Sequence, residues 1–411
     1  MSNIFKSSYF KSIAVLASGS IIAQLITIVF TPIISRIYSP EILGVYTYTI
    51  SVAAIFMGVI NGRYDISIVT EKDENNVLPL VKLSLIVGIC ITILGSIGCL
   101  IYFIIRGIEA YIAIYIFLML LSYAIINVLT AYNNRWKEYK TISSVYIVRT
   151  AAQNLGGALF GLVTTTSHCL LIPYVIGQAL GIRRQGRPLK GKWNSILNVD
   201  YSKIKLVAKS HKNQPLFSVP ALLINSLSYS LITIFVEDLY GMYYVGQYSV
   251  SVRLLGLPLA LIGGNVSKVF TERAAKEYNQ YGCYTRALTS TAIFLICIAV
   301  PMVAILIIYS QPLCTLFLGD QWGIAGNYIA ILAPMFGVRL ITSALSPALI
   351  IAEKQKNELL LQSIFIISCI MSFCITKTET LAITDFLRLI SVTYTISYVI
   401  YLFYIYKFRI K

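Results

Sequence analysis

Charged side chains are scarce in this sequence. Asp, Glu, Lys and Arg together make up 12% of its 411 residues, roughly half of the ~25% that is usual for soluble domains. Hydrophobic residues make up 57% and fall in runs of about twenty, the length at which a helix crosses ~30 Å of hydrocarbon. The ten-residue alternation of a transmembrane barrel is missing. We therefore expect an all-α polytopic membrane protein.

Patterns that would indicate metal binding or redox chemistry are also missing. The eight cysteines are scattered, mostly within apolar runs, and none forms a CxxC pair, so we expect them to serve packing. The two histidines, His168 and His211, stand far apart. We therefore expect no metal site and no bound cofactor. Membrane topology and anionic lipid headgroups explain the net charge of +16, so we also expect no nucleic-acid partner.

The apolar runs predict twelve transmembrane helices. The first follows Lys6 and Lys11 as a signal peptide would, but it is too long for one and eleven further runs follow it. With the N-terminus in the cytoplasm, most of the 33 Lys and Arg residues fall on the cytoplasmic side, as the positive-inside rule requires. Both termini are therefore expected to be cytoplasmic. The predicted spans are residues 12–34, 42–61, 80–105, 111–131, 142–163, 167–182, 214–236, 241–264, 287–310, 325–350, 357–376 and 386–406.

The spans divide into two halves of six. We expect an N-terminal bundle over residues 1–182, a cytoplasmic basic linker over 183–213 and a C-terminal bundle over 214–411. In the linker, Asp200 to His211 alternates apolar and lysine residues, which fits either a short helix on the membrane face or a plain connection.

A weak internal repeat relates the two halves. The segment "GVYTYTISV" beginning at Gly44 aligns with "GQYSVSVRL" beginning at Gly246, an offset of 202 residues that matches span two with span eight. Six spans separate them, so the repeats run parallel, which is one of the known transporter plans.

Four arginines lie in or beside the predicted spans, where charge is costly. Arg253 and Arg339 fall near the middle of spans eight and ten, and Arg149 lies about two turns inside span five. A charge at such depth costs ~2.5–3.5 kcal/mol on insertion scales and usually faces a cavity or a partner. Snorkelling or a buried polar contact is the alternative for these three, and anchoring at the helix end is the alternative for Arg63.

The sign of these charges favours an anionic ligand. No Asp or Glu lies in the middle of a span, although a cation exporter would need a carboxylate. A guanidinium matches phosphate or pyrophosphate in a bidentate way, so the substrate-binding candidates are Arg63, Arg149, Arg253 and Arg339. Asp65 lies roughly 200° from Arg63 on a helix and is not expected to pair with it.

The stretch from residue 17 to residue 74 resembles a known family. Gln24 in the first span, "PIISRIYSPEILGVY" across the first outer loop and "GRYDISIV" after the second span are similar to the opening of the Wzx-type O-antigen and polysaccharide flippases, a polysaccharide transporter family of the MATE-like MOP superfamily. Unlike related exporters of lipid-linked precursors, this chain has no arginine cluster in span one.

The resemblance implies a fold, a function and a place in the cell. It implies a MATE-like fold of two six-helix bundles around a V-shaped cationic cavity, in the bacterial inner membrane. It also implies that a non-enzymatic flippase moves an undecaprenyl-pyrophosphate-linked oligosaccharide from the cytoplasmic to the periplasmic leaflet by alternating access. Coupling to H⁺ or Na⁺ through Asp65, contact with membrane lipid, and partnership with a polysaccharide polymerase and a chain-length regulator follow from the same resemblance.

Three other classes remain as alternatives. A membrane-embedded polysaccharide polymerase or glycosyltransferase would need a sizeable external loop or an acidic catalytic pair. A major-facilitator-type carrier would carry a Gly-x-x-x-Asp-Arg pattern between spans two and three, where this chain reads "NGRYDISIVTEKDENNVLPL". Another twelve-helix ion-coupled exporter, such as a multidrug transporter of the same fold, would be expected to embed carboxylates.

Overall fold

The computed structural model describes the backbone of residues 8–352 and 355–409, and the side chains of residues 18–352 and 360–409. The described residues form helices joined by short connections, which confirms the all-α fold class. The helices are α1 (Ser8–Ile37), α2 (Pro40–Met57), α3 (Tyr64–Thr70), α4 (Val77–Arg106), α5 (Tyr111–Arg135), α6 (Tyr139–Gly161), α7 (His168–Gln185), α8 (Trp193–Leu197), α9 (Tyr201–Ser210), α10 (Val219–Tyr240), α11 (Met242–Pro258), α12 (Gly264–Tyr281), α13 (Thr285–Leu318), α14 (Gly323–Leu345), α15 (Pro347–Ile351), α16 (Gln355–Glu379) and α17 (Ile383–Lys407).

Each of the twelve predicted spans coincides with a long helix. Among the described residues, ten helical segments are long and apolar enough to cross a membrane. The fifth and sixth predicted spans are α6 and α7, which are helical but are not among those ten segments. Both helices carry polar side chains, including Arg149 and Gln153 on α6 and Gln178 and Gln185 on α7, and these lower their hydropathy.

The helices group into two compact units. Unit 1 contains the described residues up to Tyr38 together with Tyr48–Ser226. Unit 2 contains Ser39–Thr47 and the described residues from Leu227 onward. Helix α2 therefore begins in unit 2 and ends in unit 1, and α10 crosses from unit 1 to unit 2.

The end of span two departs from the predicted helix. Helix α2 stops at Met57, and turns occupy residues 58–63 before α3 begins. Gly62 and Arg63 both have positive φ, 59° and 63°, a backbone region that glycine tolerates and arginine rarely adopts. The helical angle predicted between Arg63 and Asp65 therefore does not apply.

The basic linker is folded against the rest of unit 1. Helices α8 and α9 place Ile196, Ile204 and Val207 in a buried cluster with residues of α3, α4 and α5. Glu71, in the turn after α3, accepts a hydrogen bond at 2.7 Å from Nε2 of His211 at the end of α9. The predicted short helix exists, but the alternative that its apolar face lies on the membrane is wrong for Ile204 and Val207, because protein covers them.

In unit 2, α11 and α12 form a continuous helical segment through one π-helical turn at Leu259–Gly263, directly after Pro258. Proline removes a backbone hydrogen bond and perturbs the helix around it, which accounts for the irregular turn. Helix α14 packs most closely with α13, where Gly326 lies against the backbone of Gln311. This close packing holds α14, and the arginine it carries, in a defined place.

Candidate functional site

Arg339 lies on α14 in unit 2, stacked on an aromatic side chain. The carbon at the centre of its guanidinium group is 4.2 Å from the centroid of the Tyr229 ring and 5.3 Å from that of Phe336. Both distances are within the ~6 Å range of cation–π attraction.

The tyrosine that holds Arg339 is itself held by neighbours. The hydroxyl groups of Tyr229 and Tyr398 are 2.9 Å apart and form a hydrogen bond. Tyr394 donates to the backbone carbonyl of Ser228, and the Phe365 ring packs against both Tyr394 and Tyr398 at centroid distances of 5.1 and 4.7 Å. We call Tyr229, Tyr394 and Tyr398 the tyrosine cluster.

Arg339 has no counter-ion in the described part of the chain. Among the side chains of residues 18–352 and 360–409, no carboxylate lies within 4 Å of it and no acceptor takes its N–H groups. Arg253, half-buried on α11, likewise makes no ion pair or hydrogen bond with those side chains. Cation–π contact stabilises the charge of Arg339 by only ~0.5–2 kcal/mol. Because neither arginine donates to a described side chain, both have N–H donors for an anion.

Arg149 lies in unit 1 on the wall of a cavity of about 290 Å³ whose lining residues mostly carry polar groups. One amino group of its guanidinium donates to Gln178 Oε1, while its Nε is buried and has no acceptor among the described residues. The cavity is bounded by α1, α5, α6 and the end of α7. Its lining residues are Ser20, Tyr123, Ile126, Asn127, Thr130, Ile142, Ser143, Tyr146, Arg149 and Gln185.

A chain of amide hydrogen bonds joins this cavity to Asp65. Asn127 Nδ2 is 3.3 Å from Asp65 Oδ2 and 3.0 Å from Asn61 Oδ1. Asn61 in turn donates to the carbonyl oxygens of Ser84 and Ala124 at 3.0 and 3.1 Å. These bonds fix Asn127 between the buried carboxyl group and the cavity, so Asp65 and Arg149 share one polar region.

Asp65, which follows the second span, is buried at the start of α3. Burial raises the pKa of its carboxyl group above the ordinary range, because the charged form loses its water; the positive charge of Arg63 and the hydrogen bonds to the carboxylate oppose that rise without cancelling it. The carboxyl group therefore takes up a proton more readily than an exposed aspartate does.

Arg63 lies close enough to influence Asp65 electrostatically, yet the two side chains form no ion pair within 4 Å. The expected lack of pairing was argued from a helix, whereas the structure places Arg63 in a turn with φ 63°. The Nε atom of Arg63 is buried and has no acceptor in the part of the chain that the structure describes. Strained backbone of this kind persists where the surrounding structure holds it.

The structure thus distributes the predicted site residues over two places. Arg63, Asp65 and Arg149 belong to one polar region of unit 1, and Arg253 and Arg339 belong to unit 2. Sequence reasoning missed the side chains that connect or support them, namely Asn61, Asn127, Gln178, Gln185, Tyr229 and Tyr398. The amide residues could have been identified from the sequence, because Asn and Gln inside apolar helices are costly unless they are hydrogen-bonded.

Comparison with known proteins agrees with this architecture. The model of a family described as "Polysaccharide biosynthesis protein" matches residues 68–326, more than half of the chain. A search of curated proteins finds no match.

Solved structures of MATE-like transporters share the fold. An inward-facing multidrug resistance MATE family transporter of the MOP superfamily aligns with a TM-score of 0.74 at 13% identity, covering 96% of this chain and 97% of that one. The lipid II flippase MurJ in its inward closed conformation aligns with a TM-score of 0.74 at 14% identity, covering 96% and 87%. A MOP superfamily transporter from Pyrococcus furiosus, described by the reverse polarity of its binding pocket, aligns at 0.64 and 12%, covering 97% and 95%. The predicted MATE-like fold is confirmed.

Proposed function

Since the chain belongs to the polysaccharide biosynthesis protein family, we propose that it is a flippase for an undecaprenyl-pyrophosphate-linked oligosaccharide. In this proposal it moves the lipid-linked repeat unit of O-antigen or a similar polymer from the cytoplasmic to the periplasmic leaflet of the bacterial inner membrane, by alternating access. Both termini are cytoplasmic, and a polymerase and a chain-length regulator act on the delivered unit. The protein performs no bond chemistry itself.

The observation that carries the proposal is Arg339 on its tyrosine ring. A guanidinium deep in a membrane-spanning helix is costly unless something neutralises it, and the described side chains offer no carboxylate. The pyrophosphate of a lipid-linked sugar supplies two or more negative charges and acceptor oxygens that match a guanidinium edge. An anionic substrate is thus the partner for which the unpaired arginine is suited.

The other three arginines contribute to anion binding in different ways in this proposal. Arg253 offers a second guanidinium in unit 2 that pairs with none of the described side chains. Arg149 is already held by Gln178 and borders the cavity of unit 1. Arg63 meets the anionic headgroup on the cytoplasmic side, where the sequence places the end of span two.

Asp65 is the proposed coupling group. Its carboxyl group is buried, hydrogen-bonded to Asn127 and near the positive charge of Arg63. Positive neighbours disfavour a bound Na⁺ but do not prevent exchange of a proton, so of the two candidate ions the surroundings favour H⁺. Protonation would alter the charge of the region that also contains Arg149.

The test is complementation of a strain that lacks this gene. Lipid-linked oligosaccharide is extracted and surface polysaccharide is scored with wild type, Arg339→Gln, Arg339→Lys and the control Arg388→Gln. Arg388 is an exposed arginine paired with Asp385 at 3.0 Å on α17, so its loss removes a charge without touching the site. Membrane amounts of each variant are measured on the same samples.

We expect complete lipid-linked units to accumulate and surface polymer to disappear in the deletion and with Arg339→Gln, while Arg388→Gln restores both. Arg339→Lys, which keeps the charge but not the planar fork, should restore export partially. A deletion strain whose lipid-linked precursor lacks a sugar would favour the glycosyltransferase alternative. Full rescue by Arg339→Gln would show that this arginine does not contact the anion.

A further inference from the structure

The cavity of unit 1 is lined by hydrogen-bonding side chains from several helices. Eight of its ten lining residues are polar, although α1 and α5 are largely apolar helices. Its volume of about 290 Å³ is near the lower end of the ~300–1,000 Å³ typical of ligand pockets. That size suits one sugar ring and is too small for a whole repeat unit.

The hydrogen-bonding groups on its wall include both donors and acceptors. Asn127 uses its amide nitrogen toward Asn61 and Asp65, which leaves its Oδ1 as an acceptor. Thr130 is 2.7 Å from Gln185 Oε1, which leaves the Gln185 amide nitrogen as a donor. The hydroxyl groups of Tyr123 and Tyr146 serve in either role. Sugar hydroxyls both donate and accept, whereas a phosphate only accepts, so this mixture matches a sugar better.

The charges beside the cavity also favour a sugar over a phosphate. Arg149 is partly engaged by Gln178, and Asp65 lies one hydrogen bond beyond Asn127. A pyrophosphate in this cavity would therefore lie near the carboxyl group of Asp65, on the far side of Asn127. Among the described side chains, no carboxylate lies within 4 Å of Arg339. Aromatic faces from Tyr123 and Tyr146 add surface on which a sugar ring can stack.

We propose that this cavity is a binding site for a single neutral, hydroxyl-rich sugar ring of the transported oligosaccharide. The proposal rests on the proposed function and deepens it: unit 1 recognises a sugar, while the unpaired arginines of unit 2 meet the anion. Asn127, Gln185 and Tyr146 are the residues that determine which sugar is accepted.

The test uses the purified full-length protein in lipid nanodiscs and saturation-transfer-difference NMR, which detects weak ligands. The probes are D-galactose as a neutral hexose, D-glucuronate as an acidic one, and inorganic pyrophosphate followed by ³¹P line broadening. Ser20→Trp places an indole at the cavity wall on α1, and Ile22→Trp adds the same ring to an exposed, non-lining position of that helix. Tyr146→Phe removes one hydroxyl and keeps the ring.

We expect saturation transfer to D-galactose in wild type and in Ile22→Trp, and a loss of about tenfold in Ser20→Trp, the change that corresponds to ~1.4 kcal/mol of binding free energy. Tyr146→Phe should lower the signal by about threefold, because losing one hydrogen bond weakens binding by about that factor. Broadening of the pyrophosphate resonance should be unaffected by Ser20→Trp and lost in Arg339→Gln.

Persistence of the D-galactose signal in Ser20→Trp would overturn the proposal, and so would loss of pyrophosphate broadening in that variant, since the cavity would then hold the anion. A signal from D-glucuronate that exceeds the D-galactose signal at equal concentration would overturn the neutral-sugar assignment. The proposed function fails separately: if Arg339→Gln exports polymer normally while Ser20→Trp abolishes sugar binding, the sugar site stands without the anion site.

Discussion

Gly44 and Gly246 lie at equivalent positions of the internal repeat, and both lie in unit 2. Gly44 packs against the carbonyl group of Met242, four residues before Gly246, and Gly246 packs against that of Pro40, four residues before Gly44. A Cβ atom on Gly44 would be 1.9 Å from the carbonyl oxygen of Met242, and one on Gly246 would be 1.8 Å from that of Pro40. Pro40 and Met242 are themselves separated by the repeat offset of 202 residues. The repeat therefore marks a nearly symmetric crossing at which the first turns of α2 and α11 touch through glycine, as small residues permit in membrane helices.

This crossing predicts a strong effect from a single methyl group. Gly246→Ala should lower the unfolding temperature in detergent or nanodiscs, with a cost of about 1–3 kcal/mol, because the added carbon overlaps a backbone oxygen that cannot move away. Gly256→Ala is the matched control on the same helix, since no described residue lies within 4 Å of the position its Cβ would take. That control should be neutral or stabilising by ~0.5–1 kcal/mol. Equal unfolding temperatures for the two variants would contradict the close contact.

The ring of Tyr229, more than its hydroxyl group, should matter for export. Tyr229→Phe keeps the face on which Arg339 stacks, whereas Tyr229→Leu removes ~0.5–2 kcal/mol of cation–π attraction and frees the guanidinium. We expect export of surface polymer to fall by about tenfold with leucine, equivalent to ~1.4 kcal/mol, and to remain near wild type with phenylalanine. The measurement is surface polysaccharide at equal membrane amounts of protein. Equal export by the two variants would show that stacking does not position Arg339.

Asp65 should make the protein less stable as the pH rises. Its native pKa is raised mainly by burial, with Arg63 opposing the rise, so the folded state holds a proton that the unfolded state has already lost above pH ~4. Stability therefore declines from about pH 4 up to the native pKa and changes no further beyond it. Asp65→Asn, which carries no titrating proton, should lose less stability over that range. Unfolding temperatures of the two proteins measured from pH 4 to pH 8 should diverge with rising pH; parallel curves would contradict the burial of an ionisable carboxyl group.

Glu71 should have the opposite effect on the pH dependence of stability. The backbone N–H of Asp73 is the main cause of its lowered pKa, with His211 contributing as a hydrogen-bond partner. A lowered native pKa stabilises the fold above the unfolded value of ~4.3, and that stabilisation is lost as the pH falls through the native pKa. Glu71→Gln should therefore cost about 1 kcal/mol at pH 7.

Because His211 ends α9, the loss should appear as faster hydrogen exchange in α8 and α9. The exposed carboxylate Glu41 supplies the control variant Glu41→Gln, which should leave exchange in those two helices unchanged. If exchange in the linker is unaffected by Glu71→Gln, the contact with His211 does not hold the linker in place.

The positions of the helices follow from the sequence because hydrophobic length and lysine–arginine asymmetry are local properties of a chain in a bilayer. Twenty apolar residues form a spanning helix whatever lies beside them, so all twelve predicted spans fall on long helices, although α6 and α7 are more polar than the others. The position of Arg339 near the middle of span ten and the alignment of the repeat glycines were likewise predictable from the sequence. The turn at Arg63 was not, since a positive φ on arginine depends on surrounding contacts.

What tertiary structure alone decided is which distant side chains meet. Arg339 stacks on Tyr229, 110 positions away in the sequence, and no local pattern indicates that pairing or the lack of a carboxylate beside it among the described side chains. Asn127 joins Asp65 to the cavity that Arg149 borders, through three helices whose mutual orientation is set by packing. A hydrophobic run determines that a helix crosses the membrane, but the rotation of each helix about its axis, and with it the partner of every buried polar group, depends on the packing of all its neighbours.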